Sequence, residues 1–425
     1  MIISPARVPA IRRLAGTLYG YAFLTDLVLL YPVYVLLFSD TGLSVGQISS
    51  LFVLWSATGI VLEVPSGAWA DAVSRRLLLV LAPLLPAAGF ACWVLAPSYP
   101  AFAVGFLLWG AGGALRSGAL EALVFTELDR LGASDRYARV MGRARTAEVL
   151  GAAGSGALAW PVLAVGGYPG VGAASVLACL LAAAVATLFP EHRPARPAES
   201  PTGPGPAAAE RRGQPDGDAD LGWLATLRAG LAEARADRAV RAALLLVPAV
   251  TAIWGGLDEY TGLLARDTGV ADAAVPLLLL LLWAGMTAGG LLAPAGERLT
   301  TRGYAGLLVL AASALAAGAL VGRPAGFLLL AVAFAAFQLA TVLADVRLQA
   351  RITGPSRATV TSVAGMATDL TIIAFYGGYA VVAGAAGNAV AFALAALPYL
   401  AVAGRLVCSR PSRARPAAGK SVVTG

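Results

Sequence analysis

Long apolar runs dominate the chain, and the charged residues collect in the segments between them. The run from Leu77 to Ala96 holds twenty residues without a charge, and a helix needs about 20 such residues to cross the hydrocarbon core of a bilayer. Each run is predicted to be helical, because lipid leaves no water for unpaired backbone groups. About twelve spans are predicted, at residues 15–38, 45–69, 77–96, 100–125, 140–164, 169–189, 241–264, 273–295, 304–321, 324–345, 359–383 and 387–407.

The apolar pattern repeats itself about 227 residues along the chain. The segment Leu36–Leu43 precedes one apolar run, and the similar segment Leu263–Val270 precedes another. A second repeat pairs Arg136 and Glu148 with Arg357 and Asp369, and the members of each pair are twelve positions apart. A duplicated half within a membrane protein is typical of transporters, which expose a site to each side by moving one half against the other.

The predicted fold is therefore an all-α integral membrane protein with twelve transmembrane helices in two six-helix, pseudo-symmetric halves. The halves are predicted at residues 1–189 and 241–408, with a cytoplasmic linker at 190–240 and a cytoplasmic tail at 409–425. Five prolines between residues 194 and 206 favour disorder in the linker. Leucines at positions 221, 224, 227 and 231 share one helical face, which predicts either an amphipathic helix on the inner membrane surface or a solvated lead-in to span seven.

Composition excludes several other classes of protein. The chain is 58% hydrophobic and only 13% charged, whereas soluble domains carry about 25% charged residues. The net charge of +7 does not indicate nucleic-acid binding, because the basic residues lie in loops between spans. His192 is the only histidine and the three cysteines are far apart, so we expect neither a metal site nor a disulfide framework.

The basic residues also predict the orientation. With a cytoplasmic N-terminus, the outer loops carry only Arg266 and Arg323, Arg116 lies within a span, and the other 28 of 31 basic residues face the cytoplasm. Positively charged loops stay on the cytoplasmic side. Both termini are therefore predicted to be cytoplasmic. The stretch to about residue 38 resembles a signal peptide but carries Asp26 and no obvious cleavage site, so it is interpreted as a retained first span.

The loop after span two carries a recognisable motif. The sequence from Pro65 to Arg76 contains Gly67, then Ala70-Asp71, then Arg75-Arg76. With the six-plus-six arrangement, this loop resembles the signature of the major facilitator superfamily, although Val73 or Ser74 stands where that signature has another glycine. The resemblance implies that Gly67, Asp71, Arg75 and Arg76 latch the outward-facing state; the alternative is a topological anchor.

Two further stretches resemble the drug-efflux branch of that superfamily. They are Glu63–Gly67 and Arg116–Ala122. Span five carries Gly151, Gly154 and Gly156 but lacks the Gly-Pro pair of the family's antiporters, so close helix packing is an equal interpretation. The resemblance implies a drug:proton antiporter in a bacterial inner membrane.

Ionisable residues within spans are costly and are functional candidates by default. Asp26, Glu148 and Asp369 are the candidates for proton or cation coupling, the alternative being carboxylates paired with arginine or hydroxyl groups. Arg116 needs an acidic partner, and a Glu63–Arg116 ion pair is predicted. Structural latching by this pair is favoured over contact with substrate.

A second set of residues is predicted to line a substrate cavity. Aromatic side chains near the middle of the membrane offer flat apolar surfaces with hydroxyl groups, and Asp258 with Glu259 would attract cations unless span seven ends before them. The candidates are Tyr31, Tyr34, Trp109, Asp258, Glu259, Tyr376 and Tyr379.

These features predict a secondary active transporter and not an enzyme. No phosphate-binding loop, catalytic constellation or cofactor motif is present in the sequence. The expected partners are protons, lipid and a small-molecule substrate. The protein is expected to be a monomer. Proton-coupled efflux of small amphipathic compounds is the favoured function. The alternatives are a metabolite or sugar uptake carrier of the same fold and a membrane sensor or scaffold that transports nothing.

Overall fold

The computed structural model describes residues 8–192, 238–351 and 357–408. Within these ranges, the side chains of residues 63–72, 118, 238–239, 357–359 and 362 fall outside the description. The amphipathic segment predicted at 221–241 lies almost wholly outside the described residues, as does the tail at 409–425. Both stay predictions.

The described residues fold into α-helices joined by short turns, without a β-strand among them. The first half contains α1 (Val8–Asp26), α2 (Tyr34–Asp40), α3 (Val45–Ala72), α4 (Arg75–Leu95), α5 (Tyr99–Arg130) and α6 (Tyr137–Ala186). The second half contains α7 (Arg238–Asp258), α8 (Thr261–Asp267), α9 (Val275–Leu291), α10 (Ala293–Gly296), α11 (Thr301–Leu320), α12 (Gly326–Gln349), α13 (Arg357–Ala386), α14 (Asn388–Leu394) and α15 (Leu397–Cys408).

The helices agree with the predicted all-helical membrane fold. Nine helical segments of the described chain are long and apolar enough to cross a bilayer. One of them contains α6, which bends at Gly167, where φ is 57° and ψ is −163°. Glycine is needed there because the left-handed region penalises a side chain. With α6 counted as two spans and with α1 and α5 added, the arrangement is consistent with twelve spans.

The sequence repeat is also a repeat in three dimensions. Helices α2 and α8 are each seven residues long, and they end at Asp40 and Asp267, 227 residues apart. Two residues after each of these helix ends, the chain turns through a glycine of positive φ, 89° at Gly42 and 83° at Gly269. We call the end of the bundle that carries these two turns the closed end. The opposite end, where α1 begins and α15 finishes, is the terminal end.

The halves contact each other through two pairs of long helices. Helix α3 packs against α13, and α6 packs against α9. Gly156 on α6 allows one of these contacts, since a β-carbon at this position would lie 2.7 Å from Cδ2 of Leu280 and 3.1 Å from a ring atom of Trp283.

Apolar packing between the halves is concentrated towards the closed end. The largest buried cluster of the described residues joins both halves, and from the first half it takes closed-end residues such as Val28–Phe38 and Phe102. The terminal-end residues of the first half, for example Leu14 and Leu128, form a separate cluster. A third cluster at that end, around Val240 and Leu348, belongs to the second half alone.

The motif loop is anchored within the first half. Ser74 caps α4 by accepting a hydrogen bond from the Leu77 N–H, and its hydroxyl donates to Glu191. The Arg75 guanidinium donates to the Ala122 carbonyl oxygen at 3.2 Å and to Thr126 Oγ1 at 3.0 Å. The side chains at 67 and 71 lie outside the described ones, so the latch predicted for Gly67, Asp71, Arg75 and Arg76 stays a prediction.

Helices α9 and α12 approach each other through small residues. A β-carbon on Gly285 would lie 2.4 Å from the Ala331 carbonyl oxygen, and one on Gly289 would lie 2.1 Å from the Ala335 carbonyl oxygen. Close backbone approach of this kind is a main source of helix association in lipid. A β-carbon on Gly290, the next residue, would have no neighbouring atom within 4 Å.

We therefore expect Gly289→Ala to destabilise the bundle and Gly290→Ala to leave it unchanged or slightly more stable. The first variant forces two backbones apart, an overpacking cost of about 1–3 kcal/mol that exceeds the helix-propensity gain of about 1 kcal/mol. Melting of the two purified variants in detergent tests this. Equal melting temperatures would contradict the packing.

Candidate functional site

The first long helix of each half is broken in the interior of the bundle. Helix α1 ends at Asp26 and α2 begins at Tyr34, whereas α7 ends at Asp258 and α8 begins at Thr261. The first span was predicted as one continuous helix over 15–38, so the sequence analysis missed its break. Pro32 within the break could have indicated it, because proline cannot continue a helical hydrogen-bond ladder.

Hydroxyl groups on α6 satisfy the backbone at the first break. The Ser155 hydroxyl donates to the Val28 carbonyl oxygen at 2.5 Å, and the Leu30 N–H donates to Ser175 Oγ at 3.0 Å. Both serines are fully buried. At the second break, the Thr261 hydroxyl donates to the Asp258 carbonyl oxygen at 2.6 Å. Irregular backbone at membrane depth is tolerated when protein groups satisfy it in this way.

A central cavity lies between the halves beside these breaks. Its volume is about 520 Å³, which lies within the usual range of about 300–1,000 Å³ for small-molecule sites. Its charged and larger aromatic lining residues are Trp55, Trp109, Arg116, Glu259, Asp369 and Tyr376. Residues predicted from α5, from α13 and from the break after α7 therefore line one space.

A smaller space continues from the central cavity towards the closed end. We call it the chamber; its volume is about 180 Å³. The chamber and the central cavity share Trp55, Trp109 and Glu259 as wall residues. Its other principal lining residues are Tyr31, Pro32, Tyr34, Asp258, Thr261 and Trp283.

Trp109 is the centre of the aromatic wall. Its ring stacks on Trp55 with 4.8 Å between centroids and on Tyr31 with 5.1 Å between centroids. Tyr34 meets the same ring edge-on at 6.0 Å. The predicted grouping of Tyr31, Tyr34 and Trp109 is thus present as a contact network, and Trp55 and Trp283 are wall residues that the sequence analysis did not name for the cavity.

Two polar contacts join the halves beside the chamber. The Tyr34 hydroxyl of the first half donates to the Glu259 carboxylate of the second. Ser49 and Tyr260 share a hydrogen bond of 2.6 Å on the closed-end side. The Tyr260 ring also stacks on Tyr379, with 3.7 Å between centroids. Tyr260, which was not among the predicted residues, therefore lies where the two halves meet.

Asp26 lies at the end of α1 and faces Arg116 of α5. The carboxylate Oδ2 is 3.9 Å from Nη1 of Arg116, and the same nitrogen donates to Thr25 Oγ1 at 3.4 Å. The two side chains are 28% and 35% exposed, so they form a loose pair that solvent reaches. A pocket of about 70 Å³ between the helices of the first half borders both residues.

The predicted partner of Arg116 was Glu63, whose side chain is outside the described ones, so the Glu63–Arg116 pair stays a prediction. Glu148 forms an ion pair with Arg145 at 2.9 Å, one turn earlier on α6. Together with Arg116 it borders another small pocket. Asp369 lines the central cavity from α13. The three predicted coupling carboxylates thus occupy three different surroundings.

The comparisons with known proteins agree with this architecture. The sequence model of the Major Facilitator Superfamily matches residues 18–387. The chain belongs to this superfamily. It is accordingly a transporter and not an enzyme, as the sequence predicted. Among curated protein sequences, none matches the chain significantly.

Solved structures of transporters have the same fold. A bacterial homologue of the human lysosomal transporter Spinster, inward-facing and unoccupied, is 18% identical with a TM-score of 0.63, covering 95% of each chain. The nucleoside transporter NupG is 13% identical with a TM-score of 0.64, covering 93% of this chain and 96% of its own. A D-xylose–proton symporter is 14% identical with a TM-score of 0.61, covering 95% and 98%.

An ionic cluster joins the halves of the transporter at its closed end. Nη1 of Arg266 at the end of α8 lies 2.7 Å from Asp40 Oδ1 of the first half, and its other nitrogens bind Asp272 at 2.8 and 3.0 Å. The Tyr168 hydroxyl donates to Asp40 at 2.6 Å. Burial lowers the pKa of Arg266, but its hydrogen bonds with the two aspartates outweigh that effect and raise it.

Asp40 and Asp267 are equivalent residues of the repeat, yet they have different partners. Asp267 accepts from the Asn388 amide at 2.8 Å within the second half, whereas Asp40 binds across the halves. The sequence analysis used this repeat to recognise the duplication, but the pairing of Arg266 with Asp40 depends on how the two copies face each other.

We expect Arg266→Ala to open the closed end more often. The arginine binds two carboxylates, so its loss removes about 1 kcal/mol of partly exposed ionic contact, equivalent to about a fivefold shift in population. Spin labels at Ser44→Cys and Ala271→Cys, exposed positions on opposite halves, report the separation in a background without native cysteines. Arg323→Ala, an exposed arginine at the same end, is the matched control. Identical distance distributions in both variants would contradict a closing role.

Proposed function

We propose that this transporter exports small amphipathic compounds in exchange for protons, by alternating access of the central cavity. The observation that carries the proposal is the wall shared by Trp109 and Arg116, which brings an aromatic binding surface and the Asp26–Arg116 pair to one space. An aromatic surface suits apolar rings. An intramembrane carboxylate beside a basic group suits proton transfer.

Proton coupling follows from the loose contact between Asp26 and Arg116. An ionised Asp26 partly neutralises Arg116 across 3.9 Å. Protonation of Asp26 removes one of the negative charges near Arg116, which also borders a pocket with Glu148, so the net positive charge at the central cavity that Arg116 lines increases. Because a site can shift an equilibrium only through different interactions in its two states, this change of charge is the event that links the proton to the substrate.

Alternating access is supported by the uneven packing of the halves. Apolar contacts and the Arg266–Asp40 ion pair join the halves at the closed end, whereas the terminal-end clusters of the first and second halves are separate. In this conformation, the cavity is shut towards the closed end. Proton-driven export requires the closed end to open while the terminal end closes.

Uptake of a metabolite in symport with protons is the second candidate. It is favoured by the similarity in fold to a nucleoside transporter and to a D-xylose–proton symporter. Such substrates carry many hydroxyl groups, and their sites place polar groups at fixed positions. The stacked rings of Tyr31, Trp55 and Trp109 offer mainly apolar area, which is why export of amphipathic compounds is placed first.

We expect inverted membrane vesicles that contain the protein to accumulate an aromatic dye such as ethidium when respiration acidifies their lumen. Asp26→Asn should abolish the dependence on the proton gradient, because an amide cannot take up the proton, while exchange of dye across the membrane without a gradient persists. Asp129→Asn, an exposed carboxylate on α5, is the control and should behave as the wild type.

Other outcomes separate the candidates. Gradient-driven movement of nucleosides or pentoses without dye transport would replace export by metabolite uptake. A folded protein that moves none of these compounds would favour a sensor or scaffold. Full gradient-driven dye transport by Asp26→Asn would remove Asp26 from the coupling mechanism.

A further inference from the structure

We propose that the chamber binds the positive charge of an organic cation, with Asp258 and Glu259 as counter-charges and the indole rings as walls for its flat apolar body. This inference names the substrate class and rests on the proposed export function. It is carried by the chemistry of the chamber, which differs from that of the central cavity.

The chamber is lined by acidic residues without a basic one among its described lining residues. Asp258 and Glu259 are adjacent at the break between α7 and α8, and both line it. Glu259 accepts one hydrogen bond, from the Tyr34 hydroxyl. Among the described residues, neither carboxylate has an arginine or lysine in salt-bridge contact.

Two neighbouring carboxylates at this depth are costly when nothing compensates them. Helix α8 places seven further residues between the break and the closed end, about 10 Å of helix, so Asp258 and Glu259 lie well inside the bundle. Isolated charges in the interior need a partner or lose their ionisation. A cationic ligand supplies the partner that the protein does not.

The remaining walls suit the same ligand. Trp55, Trp109 and Trp283 line the chamber together with Tyr31 and Tyr34. Cations are attracted to the faces of such rings, and tryptophan is the strongest partner. A sugar would find few hydrogen-bond partners for its hydroxyl groups on these ring faces, and an anion would meet two like charges.

The arginine of the central cavity lies outside the chamber. Arg116 and Glu259 both line the central cavity, but only Glu259 also lines the chamber. A cation in the chamber is therefore held near the acidic pair and apart from Arg116. Arg116 also borders a pocket with Glu121 and Glu148, and Asp369 lines the central cavity with it. Protonation of Asp26 removes one negative charge from this group, and the increased positive charge opposes the bound cation, which makes proton binding and cation binding mutually unfavourable, as exchange requires.

The test measures binding in nanodiscs without a proton gradient, so that it does not depend on transport. N-methylquinolinium is the cationic probe, and quinoline, which is neutral at about pH 8, is its matched control. Equilibrium dialysis against empty nanodiscs removes partitioning into lipid. We expect the wild type to bind the cation at least tenfold more tightly than quinoline.

The Asp258→Asn/Glu259→Gln double variant keeps the shapes of both side chains and removes their charges. It should lose this tenfold preference, a change of about 1.4 kcal/mol, while still binding quinoline, which shows that the chamber is intact. If the double variant does not fold, Glu259→Gln alone must reduce the preference. Asp129→Asn should retain it in full.

Equal binding of both probes by the wild type, or a charge preference that survives in the folded variant, would overturn the proposal. Failure of this site and failure of the export function give different results. Charge-selective binding without vesicle transport keeps the site and removes export. Gradient-driven transport of neutral and cationic dyes alike keeps export and removes the cation site.

Discussion

The satisfaction of backbone hydrogen bonds at the two helix breaks is the constraint on which the rest of this structure depends. A membrane interior tolerates non-helical backbone only where protein groups replace the missing bonds. Ser155 and Ser175 do so at residues 28 and 30. Without these hydrogen bonds the first span would have to continue as a helix. The non-helical segment that brings Tyr31 and Tyr34 to the wall of the chamber would then not form.

The breaks also place acidic residues in the interior of the bundle. Asp26 is the last residue of α1, and Asp258 is the last residue of α7. Each break is followed by a seven-residue helix that leads to the closed end, where the cluster around Arg266 joins the halves. The same chain segments thus form the wall of the binding space and one of its barriers, so movement of α2 against α8 alters both together. This link between cavity and barrier is the physical basis of the alternating access that we propose.

Much of the fold was predictable because an apolar run that crosses lipid has to form a helix. The apolar runs predicted the helices, and the repeat of Leu36–Leu43 predicted two related halves, both of which are confirmed. Contacts between distant residues were not predictable. The contact of Asp26 with Arg116 was not foreseen, because depth along separate helices does not determine which faces meet. The break in the first span was missed because Ser155 and Ser175, more than 120 residues away, make it possible.

The candidate site was predicted in its composition more than in its arrangement. Tyr31, Tyr34, Trp109, Asp258 and Glu259 were each named from the sequence, and they line one chamber. Their roles in transport remain predictions. Trp55 and Trp283 were not assigned to the cavity, because single tryptophans in apolar runs resemble ordinary packing residues, and only their place in the lining of the chamber distinguishes them.

The proposed exchange requires that proton binding at Asp26 and cation binding in the chamber oppose each other through Arg116. Its most direct test is to add N-methylquinolinium to the purified protein in weakly buffered solution and to record proton release with a pH indicator. We expect cation binding to release more protons from the wild type than from Asp26→Asn, in which only the chamber carboxylates can lose protons, and equal release by both proteins would remove Asp26 from the coupling. Saturating cation binding by the wild type without proton release, over the whole pH range in which the protein is folded, would contradict it.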